Sequence, residues 1–191
     1  MNSLKPVYIC GAATVSSWGF DWREMGQKLL ESQTTFAPAL QLQVFTDSNS
    51  TSSIIGSEVP NIPSEYDIEP RSRKFMSHPA RLAAVALKLL IAQTKWPAEI
   101  CQDAAFYLGV GASGAAMSEL EAMLDVSIHD HQFSVNDFGA KALNACNPLF
   151  AFQLMNNFTL CHAAILHGIG GPNSAFYSRG TGTVAALQEA Q

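Results

Sequence analysis

Charged side chains are scarce in this chain. Only 14% of the 191 residues are Asp, Glu, Lys or Arg, and 16 acidic against 11 basic residues leave a net charge of -5 and an isoelectric point near 5.4. Nucleic-acid binding calls for a basic face that neutralises phosphates, so no nucleic-acid partner is expected. Cysteine is sparse and scattered: Cys10, Cys101, Cys146 and Cys161 show neither the dense spacing of a disulfide framework nor the paired spacing of a zinc site, and they read as free buried thiols. Long apolar runs are absent as well. No window approaches the roughly 18 uninterrupted apolar residues of a membrane helix. The N-terminal MNSLKPVYIC, with one Lys and no long apolar stretch, does not read as a signal peptide, so a cytoplasmic protein without a membrane span is expected. There is no internal repeat, and nothing implies a cofactor or a metal. What is abundant is apolar: hydrophobic residues make up 48% of the chain. Its length suits one domain, residues 1–191, and so much apolar surface under so thin a polar coat suggests a face reserved for a partner.

Along the chain, residues Val7 to Ala13 read as a strand. A helix follows from about Asp21 to Glu31, with Asp21 as cap and Trp22, Met25, Leu29 and Leu30 at helical spacing. From residue 33 to 73 the composition turns to Ser, Thr, Pro and Asn, as in DSNSTSS, and reads as a long surface loop with one short strand. A second helix begins at Ser77 as N-cap with Pro79 in its first turn. Arg81, Lys88 and Lys95 give it one narrow polar stripe, so it should pack on several sides. Phe106 to Gly114 reads as the next strand and glycine turn, Ala115 to Leu124 as a helix, Ser127 to Leu143 as a polar connection, and Pro148 to His167 as one long helix. In that helix Gln153, Asn156, Asn157, Thr159 and His162 are scattered around the axis, a pattern of burial with specific hydrogen-bond partners.

Several short motifs bear on chemistry. Gly109, Gly111 and Gly114 form G-x-G-x-x-G between a strand and a helix, the dinucleotide pattern, but Asp130 lies too near to be its ribose partner and a plain strand-to-helix turn explains the same glycines. His129 and His131 would share one side of a strand and could hold a metal, yet no third ligand is signalled nearby, and a solvated loop is the simpler reading. Cys161 and His162 are neighbours on a helix and point about 100° apart, so they do not make a dyad by themselves. Arg71, Arg73 and Lys74 read either as a solvated charge run or as a docking site for an acidic partner.

The most informative stretch is Gly171 to Gln191, GPNSAFYSRGTGTVAALQEAQ. A Gly-Pro-Asn turn leads into a β-prone run, Ser174 to Ser178, then a Gly/Thr-rich bend, then a helix from Val184 to Ala190. This is the layout of a nucleophile elbow, in which a Cys or Ser stands at the bend and the next helix N-terminus stabilises a thiolate or oxyanion. Here the bend holds Gly180.

The stretch resembles the nucleophile region of the β-ketoacyl synthases, of the thiolase fold, with Gly180 at the family's Cys position. VYICGAATVS from Val7, the basic residues and Ala-rich helix from Arg71, FYLGVGASG from Phe106, and the series NPLF, Asn157, His162, Gly168 and GPN resemble further family pieces in order. The resemblance covers the family's N-terminal half; the two catalytic His residues of its second half have no counterpart in this sequence, and SRGTGT at Ser178 only superficially matches the HGTGT motif found there. It implies an α/β fold with a short mixed or parallel sheet flanked by helices, and no catalytic residue in this chain. The chain resembles chain length factors, Cys-less ketosynthase homologues that pair with an active subunit, including short ones of aryl polyene polyketide systems; better-known chain length factors carry Gln where this chain has Gly180. By resemblance, Leu149, Phe150, Phe152, Met155, Asn157 and Phe176 belong to the acyl tunnel and the subunit interface. Leu149 and Phe150 occupy the place of the residue that closes the partner's tunnel. The implied partners are a full-length β-ketoacyl-ACP synthase, in a heterodimer, and an acyl carrier protein docking at Arg71, Arg73 and Lys74. Two alternatives stay open: a homo-oligomeric acyl- or nucleotide-binding protein, and an enzyme using Cys161 or Cys146.

Overall fold

A computed structural model describes residues 6–39, 54–111, 117–178 and 180–191, and by its contacts the chain forms two units. The smaller comprises residues 8–67 and 85–95. Its first helix, α1 (Trp22–Leu30), begins where the sequence marks it: the Asp21 carboxylate accepts from the Arg23 N–H at 2.8 Å. This satisfies one of the orphan donors of the first turn. Residues 7–13, expected as a strand, are irregular, and Ile9 is 92% exposed. Apolar β-prone residues make a strand only when a neighbour completes the ladder, and none does among the described residues. The region expected as a loop with one short strand holds two, β1 (Ala37–Pro38) and β2 (Ile55–Gly56), paired antiparallel. The DSNSTSS run lies outside the described residues.

The larger unit comprises residues 1–7, 68–84 and 96–191. It opens with a single turn, α2 (Pro70–Arg73), and the start of α3 (His78–Thr94), whose last residues belong to the smaller unit. Ser77 caps α3 as expected, its Oγ accepting from the Ala80 N–H at 3.3 Å. After α4 (Ala98–Asp103), β3 (Phe106–Val110) pairs in parallel with a strand almost seventy residues later, so this sheet could not be read from local pattern. Next come α5 (Met117–Asp125) and a hairpin of β4 (Ile128–His129) and β5 (Gln132–Phe133). The hairpin turns on Asp130 and His131, both at positive φ, 51° and 62°. A helix, α6 (Val135–Ala145), follows. The polar connection expected at Ser127 to Leu143 is therefore wrong. Its signal was present: Ser134 and Asp137 stand at capping-box spacing, and the Ser134 Oγ accepts from the Asp137 N–H at 3.2 Å. Behind α6 a small apolar cluster gathers Met123, Ala142 and Cys146 with Phe138 and Phe150.

The single long helix expected from Pro148 to His167 is two, α7 (Phe150–Leu154) and α8 (Asn156–His167), broken at Met155, whose backbone is extended. Asn156 and Asn157 are poor helix-interior residues but suit a first turn, which is where the break leaves them. α8 ends on Gly168, in the left-handed conformation. The last strand, β6 (Asn173–Tyr177), lies in register with β3 from Phe106 opposite Asn173 to Val110 opposite Tyr177, and α9 (Gly182–Glu189) closes the unit. Both α8 and α9 pack on the β3–β6 pair. The architecture is thus α/β, with small sheets flanked by helices and a two-stranded parallel sheet at the centre of the larger unit.

Candidate functional site: the bend between β6 and α9

The strand-to-helix bend anticipated from the sequence is present. Three residues past the end of β6 the chain passes through Gly180 at φ +99°, a conformation that L side chains rarely adopt, and then enters α9. The bend is tied across its base: the Thr181 N–H and hydroxyl both donate to the Ser178 carbonyl, at 2.5 and 3.2 Å, and the two hydroxyls meet at 2.7 Å. No side chain caps α9. A Cβ built on Gly180 would meet no atom within 4 Å, so the position has room for a side chain but carries none. Arg179 lies outside the described residues.

The start of α9 is pressed onto the sheet by paired glycines. A Cβ on Gly182 would stand 2.5 Å from the Phe176 carbonyl oxygen and 3.5 Å from Gly109 Cα; one on Gly109 would stand 2.6 Å from the Gly182 carbonyl carbon. Gly109 is needed, then, for the approach of α9 from the far end of the chain. This accounts for the first glycine of the G-x-G-x-x-G pattern by packing; Gly111 meets open space and Gly114 lies outside the described residues.

The residues assigned by resemblance to a tunnel and an interface fall in two groups. Leu149, Phe150, Phe152, Met155 and Asn157 cluster at α7 and its break with α8. The segment is anchored from α5, because the Glu119 carboxylate accepts from the Asn147 N–H at 2.7 Å, while the Asn147 side-chain oxygen accepts from the Leu149 N–H at 3.0 Å. Glu119 was not singled out from sequence, since nothing local links it to a residue 28 positions on. Phe150 is half-buried against Met123, Ala142 and Cys146, whereas Phe152 and Met155 are 40% and 46% exposed. The Phe152 ring stands edge-on to Phe158 at 5.0 Å, and Phe158 lies 5.9 Å from His162. Phe176 is apart from this group, on β6 opposite Gly109, with its ring 6.5 Å from Tyr107.

Arg71 and Lys74 are exposed, Arg71 on α2 and Lys74 just after it. Arg71 lines a cleft of about 190 Å³ with Ser72, Phe75, His162, Ile165 and Leu166, a juxtaposition of two motifs that the sequence kept ninety residues apart. The other candidates resolve into ordinary structure. His129 and His131 do not share a strand face, because His131 is in the turn; His129 Nε2 lies 3.1 Å from Asp137 Oδ2 instead. Hydrogen bonds from Lys141, at 2.6 Å, and from Ser134 hold the Asp137 carboxyl below its usual range. No group of three metal-ligating side chains forms among the described residues. All four cysteines are free, Cys101 and Cys146 buried, Cys161 half-buried and Cys10 exposed. No described helix is long and apolar enough to cross a membrane.

No protein-family model matches the chain, and no curated protein is similar to it. Solved structures are. The ishigamide ketosynthase/chain length factor is 14% identical, with a TM-score of 0.63 over 95% of this chain and 44% of its own. A β-ketoacyl synthase from Burkholderia phymatum is 16% identical, also with a TM-score of 0.63, over 95% of this chain and 41% of its own. The chain spans less than half the length of either, and what it shares with them is the thiolase-like α/β fold of ketosynthases.

Proposed function

We propose that the chain is a non-catalytic ketosynthase-like subunit, a chain length factor, that pairs with an active full-length β-ketoacyl-ACP synthase in polyketide biosynthesis of the aryl polyene kind and shapes its acyl tunnel. The observation that carries this reading is Gly180. The strand, the bend and the helix that would present a nucleophile are in place, and the residue at the bend has no side chain. Condensation on a thioester requires a thiolate there, so this chain contributes shape instead of chemistry. On this reading it is a cytoplasmic, single-domain partner without cofactor, and the acyl carrier protein docks at Arg71, Arg73 and Lys74.

Phe152, Leu154 and Met155, exposed around the α7–α8 break, supply apolar surface of the kind a partner covers. Half-buried Phe150 has the volume to end a tunnel, and an acyl chain cannot displace a packed ring without an overpacking cost of about 1–3 kcal/mol. Likeness to a ketosynthase/chain length factor supports the same reading.

The test is co-expression with candidate ketosynthases. A 1:1 complex is expected, with Phe150→Ala leaving assembly intact while lengthening the product. The chain alone should take no acyl group from a loaded carrier protein, and Gly180→Cys should not confer elongation. An acyl adduct on the wild-type chain by intact mass would overturn the assignment, and unchanged product length from an intact Phe150→Ala complex would remove the gating role.

A further inference from the structure

Residues 9–12 join no ladder among the described residues, yet their course is set by α3. Gly11 lies so close to the end of that helix that a Cβ there would stand 2.6 Å from Thr94 Cγ2. This approach makes the segment one wall of a cleft of about 380 Å³, closed by Trp22 and Arg23 from the first turn of α1 and by Gln93 and Thr94 from α3. All of these residues belong to the smaller unit. A volume of this size suits a small organic molecule.

The charge in its walls is of one sign. The Arg23 guanidinium lies over the Trp22 ring, 4.7 Å from its centroid, and no carboxylate pairs with it among the described residues. Its acidic neighbours in sequence are engaged elsewhere: Asp21 caps α1, Glu24 is paired with Lys28 at 2.6 Å, and both line the adjoining cleft beyond Gln93. No acidic side chain lines the cleft of Arg23. Stacking on an indole fixes the plane of a guanidinium while leaving its N–H edge open to an acceptor. The N–H groups of residues 10–12 likewise have no backbone acceptor among the described residues, and Ile9 and Ala12 add apolar surface beside them.

A fixed, unpaired guanidinium beside apolar surface matches a molecule with one anionic and one apolar end. We propose that this cleft is a binding site for a small organic carboxylate, its carboxylate on Arg23 and its apolar body against Ile9 and Ala12. The site lies within the smaller unit and needs nothing from the ketosynthase reading, which rests on the larger one. Cys10, an exposed thiol in the same wall, reports on it.

Iodoacetate and iodoacetamide alkylate a thiol by the same displacement of iodide by sulfur and differ in charge. The ratio of their rates at Cys10, read by peptide mass spectrometry on the full chain, therefore cancels the thiol's own reactivity. That ratio should be about fivefold higher in the folded chain than in the urea-unfolded one, the size of one partly exposed ion pair, and should fall back in high salt and in Arg23→Gln. Lys28→Gln, which removes a cation of α1 outside the cleft, should leave it high. Phenylacetate should slow the reaction of Cys10 with iodoacetamide, and its uncharged isostere phenylacetamide should not. A ratio equal to that of the unfolded chain, an Arg23→Gln protein that keeps the wild-type ratio, or a preference for iodoacetate without protection by phenylacetate would overturn the site. The wild-type comparisons involve no substitution, so they decide the matter even where a variant fails to fold.

Discussion

Replacing Gly182 with alanine adds one methyl group where α9 meets the sheet. The new Cβ would lie 2.5 Å from the Phe176 carbonyl oxygen, against about 3.3–3.6 Å for an ordinary carbon–oxygen contact. Both obstacles, Phe176 on β6 and Gly109 on β3, are backbone in paired strands, so neither can swing aside as a side chain would. The helix must withdraw by most of an ångström and loosen buried Ala186 from its surroundings. Overpacking of this kind costs about 2–3 kcal/mol, or roughly 4–12 °C in Tm for a chain of this length. Gly180→Ala, two residues away, is the control: no atom lies within 4 Å of its Cβ, so only the strain of φ +99° remains, about 1–2 kcal/mol. Thermal and urea unfolding followed by circular dichroism would rank the two variants. A Gly182→Ala protein within about 0.5 kcal/mol of wild type, or a Gly180→Ala protein as damaged as Gly182→Ala, would refute the packing account.

Gly139 is an exposed glycine inside α6 with open space around its Cβ, so Gly139→Ala should raise stability by about 0.5–1 kcal/mol, visible as a higher urea midpoint. Ser134→Ala removes the α6 cap and should cost about 1 kcal/mol in the same measurement. The Asp137 carboxyl, held down by Lys141 and Ser134, should titrate below 3.8 by NMR and move up in Lys141→Met. Its pair favours the fold above the unfolded value and fades as pH falls through the folded one, and high salt should shrink the shift because the group is at the surface.

How much of this was readable without coordinates depends on how local the cause is. Asp21 and Ser77 announced their helices because a cap and its helix are neighbours in sequence. The α6 cap at Ser134 was equally local and was overlooked, because a polar run hid the apolar positions Phe138 and Ala142. The break at Met155 had only a faint signal, since no proline marks it and the flanking residues tolerate either geometry.

By itself the sequence determined the order of the elements around the site and the identity of the residue at the bend. Gly-Pro-Asn, a β-prone run and a glycine-rich turn before a helical segment specify strand, bend and helix through backbone preferences alone, and Gly180 excludes a nucleophile there whatever the fold. Only tertiary structure decided what long-range contact controls. It left residues 7–13 without a ladder among the described residues and set Phe106 opposite Asn173. It made Gly109 the floor for Gly182 and brought His162 into one cleft with Arg71 from about ninety residues away along the chain. Pairing, close approach and burial are properties of two segments at once, and no single segment's composition contains them.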